Sequence, residues 1–214
     1  MIEIKDLSFG YSNGSRIFNG LNFSFKKGER IGLVGPNGAG KTTLFYLIMG
    51  LLKPGAGEIE VFGRSRANEK DFYDVRQRIG LLFQESEDQL FCPTVEEDIA
   101  FGPLNLGKSH SEVKTIVRGT CERLGLKGFE KKVTHRLSGG EKRLVALATV
   151  VAMNPECYLF DEPTSGLDEA TTEKFSRYLK DYADTYIIIT HDHSFLKNTV
   201  DKIYRLKESR IEPL

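Results

Sequence analysis

A chain of 214 residues is long enough to bury a large core, as one domain or as one domain carrying an inserted subdomain. Thirty basic and thirty acidic residues cancel, which argues against nucleic acid or another polyanion as a partner. Cys92, Cys121 and Cys157 are odd in number, scattered and without a CxxC pair. They read as reduced thiols in a cytosolic protein, neither a disulfide framework nor a zinc site.

The opening MIEIKDLSFGY alternates apolar and polar residues, as a half-buried strand does, and does not read as a signal peptide. Strand character continues through IFNGLNFSF and RIGLVG, with SNGS and KKGE as turns. A helix follows through KTTLFYLIMGLL until KPGAGE breaks it. Its apolar part, Leu44 to Leu52, falls far short of the roughly 20 residues that span a bilayer; if the chain works at a membrane, another chain must take it there. EIEVFG and RIGLLFQ are the next strands. From Pro93 to about Met153 the pattern is largely helical, and Thr94 with Glu97 forms a capping box at its start. Beyond Pro155, the apolar strands CYLFDE and TYIIITHD flank a helix from about Glu169 to Tyr182, and KIYRL with SRIEPL closes the chain as a strand pair.

Apolar strands that end in polar residues and alternate with helices predict an α/β fold around a largely parallel sheet. Ligands bind such sheets at the carboxyl ends of the strands, where GPNGAGKTT, FQ, DE and THD all fall. The segment Gly35, Pro36, Asn37, Gly38, Ala39, Gly40, Lys41 and Thr42 fits G-x-x-x-x-G-K-[ST] between a strand and a helix, and Thr43 follows it. Glycines let backbone N–H groups curl around phosphate oxygens, and the helix start adds positive potential. Lys41 is then expected at the β- and γ-phosphates, and the Thr42 hydroxyl on Mg²⁺.

Asp161 at a strand end can hold Mg²⁺ beside Thr42, and Glu162 can act as general base on a water or orient it. Each reads equally, when alone, as a strand turning polar as it surfaces. The same choice holds for Gln84, which can bridge Mg²⁺ and the water. A lone strand-end histidine such as His191 is more often structural than catalytic. Their joint order and position favour a site.

Together the residues resemble the nucleotide-binding subunit of an ATP-binding-cassette (ABC) protein. The resemblance runs over nearly the whole chain, through FGYS, GPNGAGKTT, LLFQ, LSGGE, YLFDEPTSGLD and IIITHD. It implies a P-loop NTPase of the ABC ATPase type in one domain, 1–214. The expected parts are a central mostly parallel sheet, an N-terminal antiparallel β part and a helical subdomain inserted at about 85–150. It further implies ATP with Mg²⁺, Tyr11 stacked on adenine, and Gln84 with Asp161 around the metal and water. Glu162 is implied as the catalytic carboxylate, His191 at the γ-phosphate and Asp168 at a subunit interface.

Ser138, Gly139 and Gly140 open a helix whose N–H groups can bind phosphate. Physics alone leaves open whether they serve the nucleotide of their own chain. The resemblance implies that two subunits, identical or paralogous, pack head to tail and that each signature completes the other's ATP site. Glu141 stands where the family usually has Gln. It is expected either to weaken closure slightly or to pair with a neighbouring cation such as Lys142 or Arg143.

The run DQLFCPTVEEDIAFGPLNLG, Asp88 to Gly107, is similar to the ATPase subunits of energy-coupling-factor importers, a group that includes cobalt, nickel and vitamin importers. This implies a peripheral place on the cytoplasmic face of the membrane, with membrane subunits docking near residues 85–107. Apolar residues there, such as Leu90, Phe91, Phe101 and Leu104, suit a groove for a short amphipathic helix, or else fill the subdomain core. Many ATPases of this group carry an extra C-terminal domain. Because the sequence ends at Leu214, dimerisation is expected to depend on nucleotide and membrane partner. The competing readings are a soluble ABC ATPase that moves nothing, an ATPase subunit of another transporter class, and a nucleotide switch without hydrolysis.

Overall fold

The apolar alternation of the first strand breaks at one point, and the break shapes the N-terminal sheet. In the computed structural model, which describes residues 1–214, β1 (Ile2–Gly10) buries Ile2 and Ile4, then Leu7 and Phe9. The switch from even to odd positions falls at a bulge where Asp6 takes φ 48°. An extra residue in one strand flips the faces of everything after it. β2 (Arg16–Phe25) answers with its own irregularity at Gly20 and buries Phe18, Leu21, Phe23 and Phe25 against β1.

β3 (Arg30–Val34) leads through the glycine loop to α1 (Lys41–Ile48). The helix stops at Ile48, short of the expected Leu52, because Gly50 turns left-handed (φ 67°) and donates its N–H to the Leu47 carbonyl. β4 (Ala56–Val61) and β5 (Arg64–Ser65) complete an antiparallel sheet of order β2-β1-β4-β5. Then α2 (Tyr73–Arg78), a short helix absent from the sequence reading, leads directly into β6 (Ile79–Leu82).

Three helices follow before the chain re-enters the sheet: α3 (Val95–Asn105), α4 (His110–Leu124) and α5 (Gly139–Ala152). The Thr94 N–H donates to Glu97 Oε2 at 3.0 Å, so the expected capping box opens α3. β7 (Cys157–Asp161), α6 (Glu169–Tyr182), β8 (Tyr186–Ile189), α7 (His193–Thr199), β9 (Lys202–Lys207) and β10 (Arg210–Pro213) complete the chain. α7 is the second helix that sequence patterning missed; Asp192 caps it by accepting the Phe195 N–H at 2.9 Å. No helix is long and apolar enough to cross a membrane.

The second sheet has the order β10-β9-β3-β8-β7-β6, parallel throughout except for the terminal hairpin β9–β10. Its central strands are apolar on both faces because both are covered, as parallel sheets require. Alternate residues enter different cores. Cys157, Leu159, Ile187 and Ile189 join the core shared with α1 and the antiparallel sheet. Tyr158, Phe160, Tyr186 and Ile188 join the core under the helices.

Phe160 is fully buried in that second core, with its ring centroid 5.2 Å from Tyr158 and 5.4 Å from Phe175. Phe160→Ala is expected to cost about 3–5 kcal/mol from lost burial and a residual cavity. At about 2–4 °C per kcal/mol for a chain of this size, Tm should fall by about 6–20 °C, which a calorimetric melt reads directly.

Candidate functional site

Four strand ends meet at one edge of the parallel sheet, and the cleft lies there. It encloses about 400 Å³ and is lined by Tyr11, Ile17, Asn37, Gly38, Gly40, Lys41, Thr42, Thr43, Gln84, Asp161, Glu162, Ile189 and His191. The loop after β3 brings the glycines and Lys41, the ends of β6 and β7 bring Gln84 and the two carboxylates, and β8 leads to His191. This is the edge at which open α/β sheets bind ligands.

Gly40 caps α1 at φ 97°, and a Cβ there would come within 2.5 Å of Ile17 Cγ2 and 2.7 Å of Phe18 Cζ. Glycine is thus required both by conformation and by the close approach of β2. The Lys41 ammonium donates to the Gly35 carbonyl at 2.8 Å and the Pro36 carbonyl at 3.1 Å, curled over its own loop. Burial lowers its pKa, and the charges of Glu162 and Asp161 oppose that shift. Ala39 turns inward and packs on the first core.

The Thr42 hydroxyl donates to Asp161 Oδ2 at 2.5 Å, across 119 residues of sequence. The other oxygen, Asp161 Oδ1, is buried without a hydrogen-bond partner. Burial raises the Asp161 pKa, against the opposing pull of Thr42, Arg143 and Lys41. A buried carboxylate oxygen with nothing to accept from, beside a hydroxyl, is a donor set suited to a hard cation. Glu162 sits at φ 49°, rare for a residue with a side chain, and its Oε1 lies 3.5 Å from His191 Nε2. Tyr11 is exposed; its hydroxyl bonds Thr43 Oγ1 at 3.0 Å and its ring meets Phe9 edge-on.

The structure does not bring the second glycine-rich helix start into this cleft. Ser138 and Gly139 are exposed at the head of α5, and none of Ser138, Gly139, Gly140 or Asp168 lines it. They neighbour one another instead: a Cβ on Gly140 would come within 2.6 Å of the Gly166 carbonyl, two residues before Asp168. Asp168 caps α6 through the Thr171 N–H at 2.7 Å.

Glu141 does pair with a cation, one of its two expected fates, but the cation is Lys132 and not Lys142 or Arg143. Its carboxylate accepts the Ser138 N–H at 2.8 Å and the Lys132 ammonium at 3.1 Å, closing a capping box on α5. The Ser138 N–H, then Lys132, holds the Glu141 carboxyl below its ordinary range. Lys142 reaches Glu87 instead, at 2.5 Å.

Arg143 was absent from the site expected from sequence, yet it is buried among the strand ends. Its guanidinium donates to the main-chain carbonyls of Phe83 (2.6 Å), Gln84 (3.0 Å), Asp161 and Glu162 (2.7 Å). One signal in the sequence pointed there. Arg143 shares the apolar face of α5 with Leu147 and Val150, at i+4 and i+7, where a charge must be compensated.

The ABC transporter family profile matches residues 18–165. The energy-coupling factor transporter ATP-binding protein EcfA of Methanocaldococcus jannaschii is 44% identical over 99% of this chain and 77% of its own length. Its namesake in Methanothermobacter thermautotrophicus is 42% identical over 99% and 69%. Among solved structures, cbiO1 of Clostridium perfringens, part of the ABC transporter complex cbiONQ, superposes with a TM-score of 0.83. It is 34% identical over 98% of this chain and 86% of that one. An ATP-binding cassette captured as a dimer in a post-hydrolysis state with ADP and Pi gives a TM-score of 0.88, at 25% identity over 99% and 97%. The glycine loop at a parallel-sheet edge, the paired strand-end carboxylates and this likeness over nearly the full chain make it an ATP-hydrolysing cassette of the ABC transporter family.

Proposed function

We propose that this chain is the ATPase subunit of an energy-coupling-factor importer, working as one of two ATP-binding subunits beneath a membrane-embedded transporter. The observation that carries the reading is the separation just described. One chain holds a phosphate cleft and, outside it, a second exposed helix start able to bind phosphate. Each signature then serves the cleft of the other subunit, with Asp168 at the seam, and ATP joins the two. The names of the EcfA relatives and of the cbiONQ component support the importer assignment. The cargo belongs to the class of cobalt or nickel ions or a vitamin.

Exposed Phe91, Phe101 and Leu104 support docking of the membrane subunits near residues 85–107. The rings of Phe91 and Phe101 meet edge-on at 4.7 Å beside an open groove that also takes in Leu90, Pro93 and His135. On this reading the chain is one domain, 1–214, with residues 85–150 as its helical subdomain, held peripherally at the cytoplasmic face.

In the cleft, Tyr11 offers its exposed ring to the adenine, and the N–H groups of the 35–43 loop cradle the phosphates. Lys41 exchanges the Gly35 and Pro36 carbonyls for phosphate oxygens. Thr42, Asp161 and Gln84 would hold Mg²⁺, consistent with the unpartnered Asp161 Oδ1. When bound, the ion supplies charge stabilisation at the phosphate oxygens. Glu162 orients the attacking water and takes its proton as the oxygen bonds to the γ-phosphorus and the β–γ bridge breaks, releasing ADP. His191, beside Glu162 Oε1, donates to the γ-phosphate.

An affinity pull-down of the tagged chain from its native membranes in mild detergent, read by mass spectrometry, tests the assignment. Recovery of a transmembrane scaffold with a substrate-binding membrane protein is the expected result. Recovery of ribosomes, of DNA-maintenance proteins or of the chain alone would overturn the transport reading and leave the ATPase chemistry standing.

A further inference from the structure

We propose that Arg143 is a positioning residue for ATP hydrolysis: it holds Glu162 in its left-handed backbone conformation and ties that carboxylate to the signature helix. The proposal rests on the catalytic role of Glu162 put forward above.

The guanidinium is buried, and every acceptor it meets is a main-chain carbonyl. Two of them, Phe83 and Gln84, follow β6; the other two, Asp161 and Glu162, end and follow β7. A planar fork with donors on both arms suits this task, spanning two strand ends that no single point charge could bridge. The Nε–H is buried without an acceptor, so the side chain leaves one donor unmet in order to make these four bonds. Burial pushes its pKa down to about 10, still charged at neutral pH.

A non-glycine residue in the left-handed region persists only where its surroundings hold it. For Glu162 at φ 49° those surroundings are its N–H bond to the Ile189 carbonyl at 2.8 Å, the Ser165 N–H that its carbonyl accepts at 3.1 Å, and Arg143, on one nitrogen of which its carbonyl and that of Asp161 converge. With that nitrogen removed, two carbonyls that point together lose their common donor, and the turn at Glu162 is left with only its bonds to Ser165 and Ile189. The carboxylate would leave its place near His191. The other arm fixes Gln84 in the same way. Arg143 also lies five residues after Ser138 on one rigid helix, so the place of the signature and the place of Glu162 are mechanically joined.

The test uses Arg143→Gln and Arg143→Lys in the full chain, each also combined with Glu162→Gln. Single-turnover ATP hydrolysis, nucleotide titration and thermal melts are the readouts. The Gln variant is expected to lose about 100-fold in the hydrolysis rate, the scale of a misplaced catalytic group. The Lys variant, which keeps the charge but not the fork, should lose about 10-fold. ATP affinity should stay within about 3-fold for both, because Arg143 touches no nucleotide-binding side chain. Neither change should add to the loss caused by Glu162→Gln, since residues that act as a unit are not additive.

A Lys variant with the wild-type rate overturns the proposal. So does a loss of affinity in parallel with rate, or a full additional loss in the Glu162→Gln background. If Arg143→Gln does not fold, the Lys variant and its double decide. Wild-type hydrolysis by Glu162→Gln alone would overturn the catalytic assignment of Glu162 itself, a separate and recognisable failure.

Discussion

Glu162→Gln is expected to slow ATP hydrolysis by about 10³-fold and to trap the chain as an ATP-bound dimer. General-base contributions fall at about 10²–10⁴-fold, and the amide keeps the size of the carboxylate while losing its basicity. The left-handed backbone at Glu162 and its hold by Arg143 and the Ile189 carbonyl do not involve the side-chain charge, so the variant should fold as the parent does. Binding of ATP survives, hydrolysis does not, and the joint made by the nucleotide cannot be released. Light scattering in saturating Mg-ATP should report twice the monomer mass. Ser138→Arg should prevent that dimer, because it places a long cation at the exposed helix start that the proposed dimer sets against the partner's phosphates. A Glu162→Gln chain that stays monomeric under these conditions would rule out the two-subunit sandwich.

The second large effect belongs to Lys41→Ala. Charge-assisted hydrogen bonds contribute about 1.5–3 kcal/mol each, so losing the ammonium should weaken ATP binding by about 100-fold. Stability should barely move. The burial that lowers the Lys41 pKa makes its charge a cost to the ligand-free fold at neutral pH, and that cost disappears with the side chain. The Pro36 carbonyl it leaves lies on an exposed loop where water replaces it. Calorimetric titration with ATP and a thermal melt separate the two quantities. A fall in Tm of more than about 5 °C would mean that Lys41 acts as a structural clamp on the loop.

These two positions show how unevenly the sequence discloses the site. Lys41 was legible because a phosphate loop is local: residues 35 to 43 dictate their own turn and the helix that follows. Glu162 and Asp161 were legible as the polar end of an apolar strand. Glu141 was half legible: a cation partner was one of two expectations, but only the approach to the helix brings Lys132, nine residues away in sequence, to 3.1 Å. Arg143 went unassigned for the same reason. Its partners lie up to 60 residues away, and although its place on the apolar face of α5 marks it as buried, nothing local says which strand ends it meets. The short helices α2 and α7 were missed because six or seven residues carry too little periodicity to separate them from a turn.

The sequence by itself determined the chemistry and the class of fold: a glycine loop for phosphate, strand-end carboxylates, and strands alternating with helices. Each is written in a few consecutive residues whose backbone preferences and polarity act locally. Tertiary structure alone decided which contacts those groups make. The parallel order of β3, β8, β7 and β6 places the Thr42 hydroxyl against Asp161, 119 residues away, and leaves an oxygen of that carboxylate without a partner. The same packing sets the signature helix outside the cleft while running one buried guanidinium from it to the carbonyl of Glu162. Such distances depend on sheet order and helix orientation, which arise from burial summed over the whole chain and are carried by no single segment.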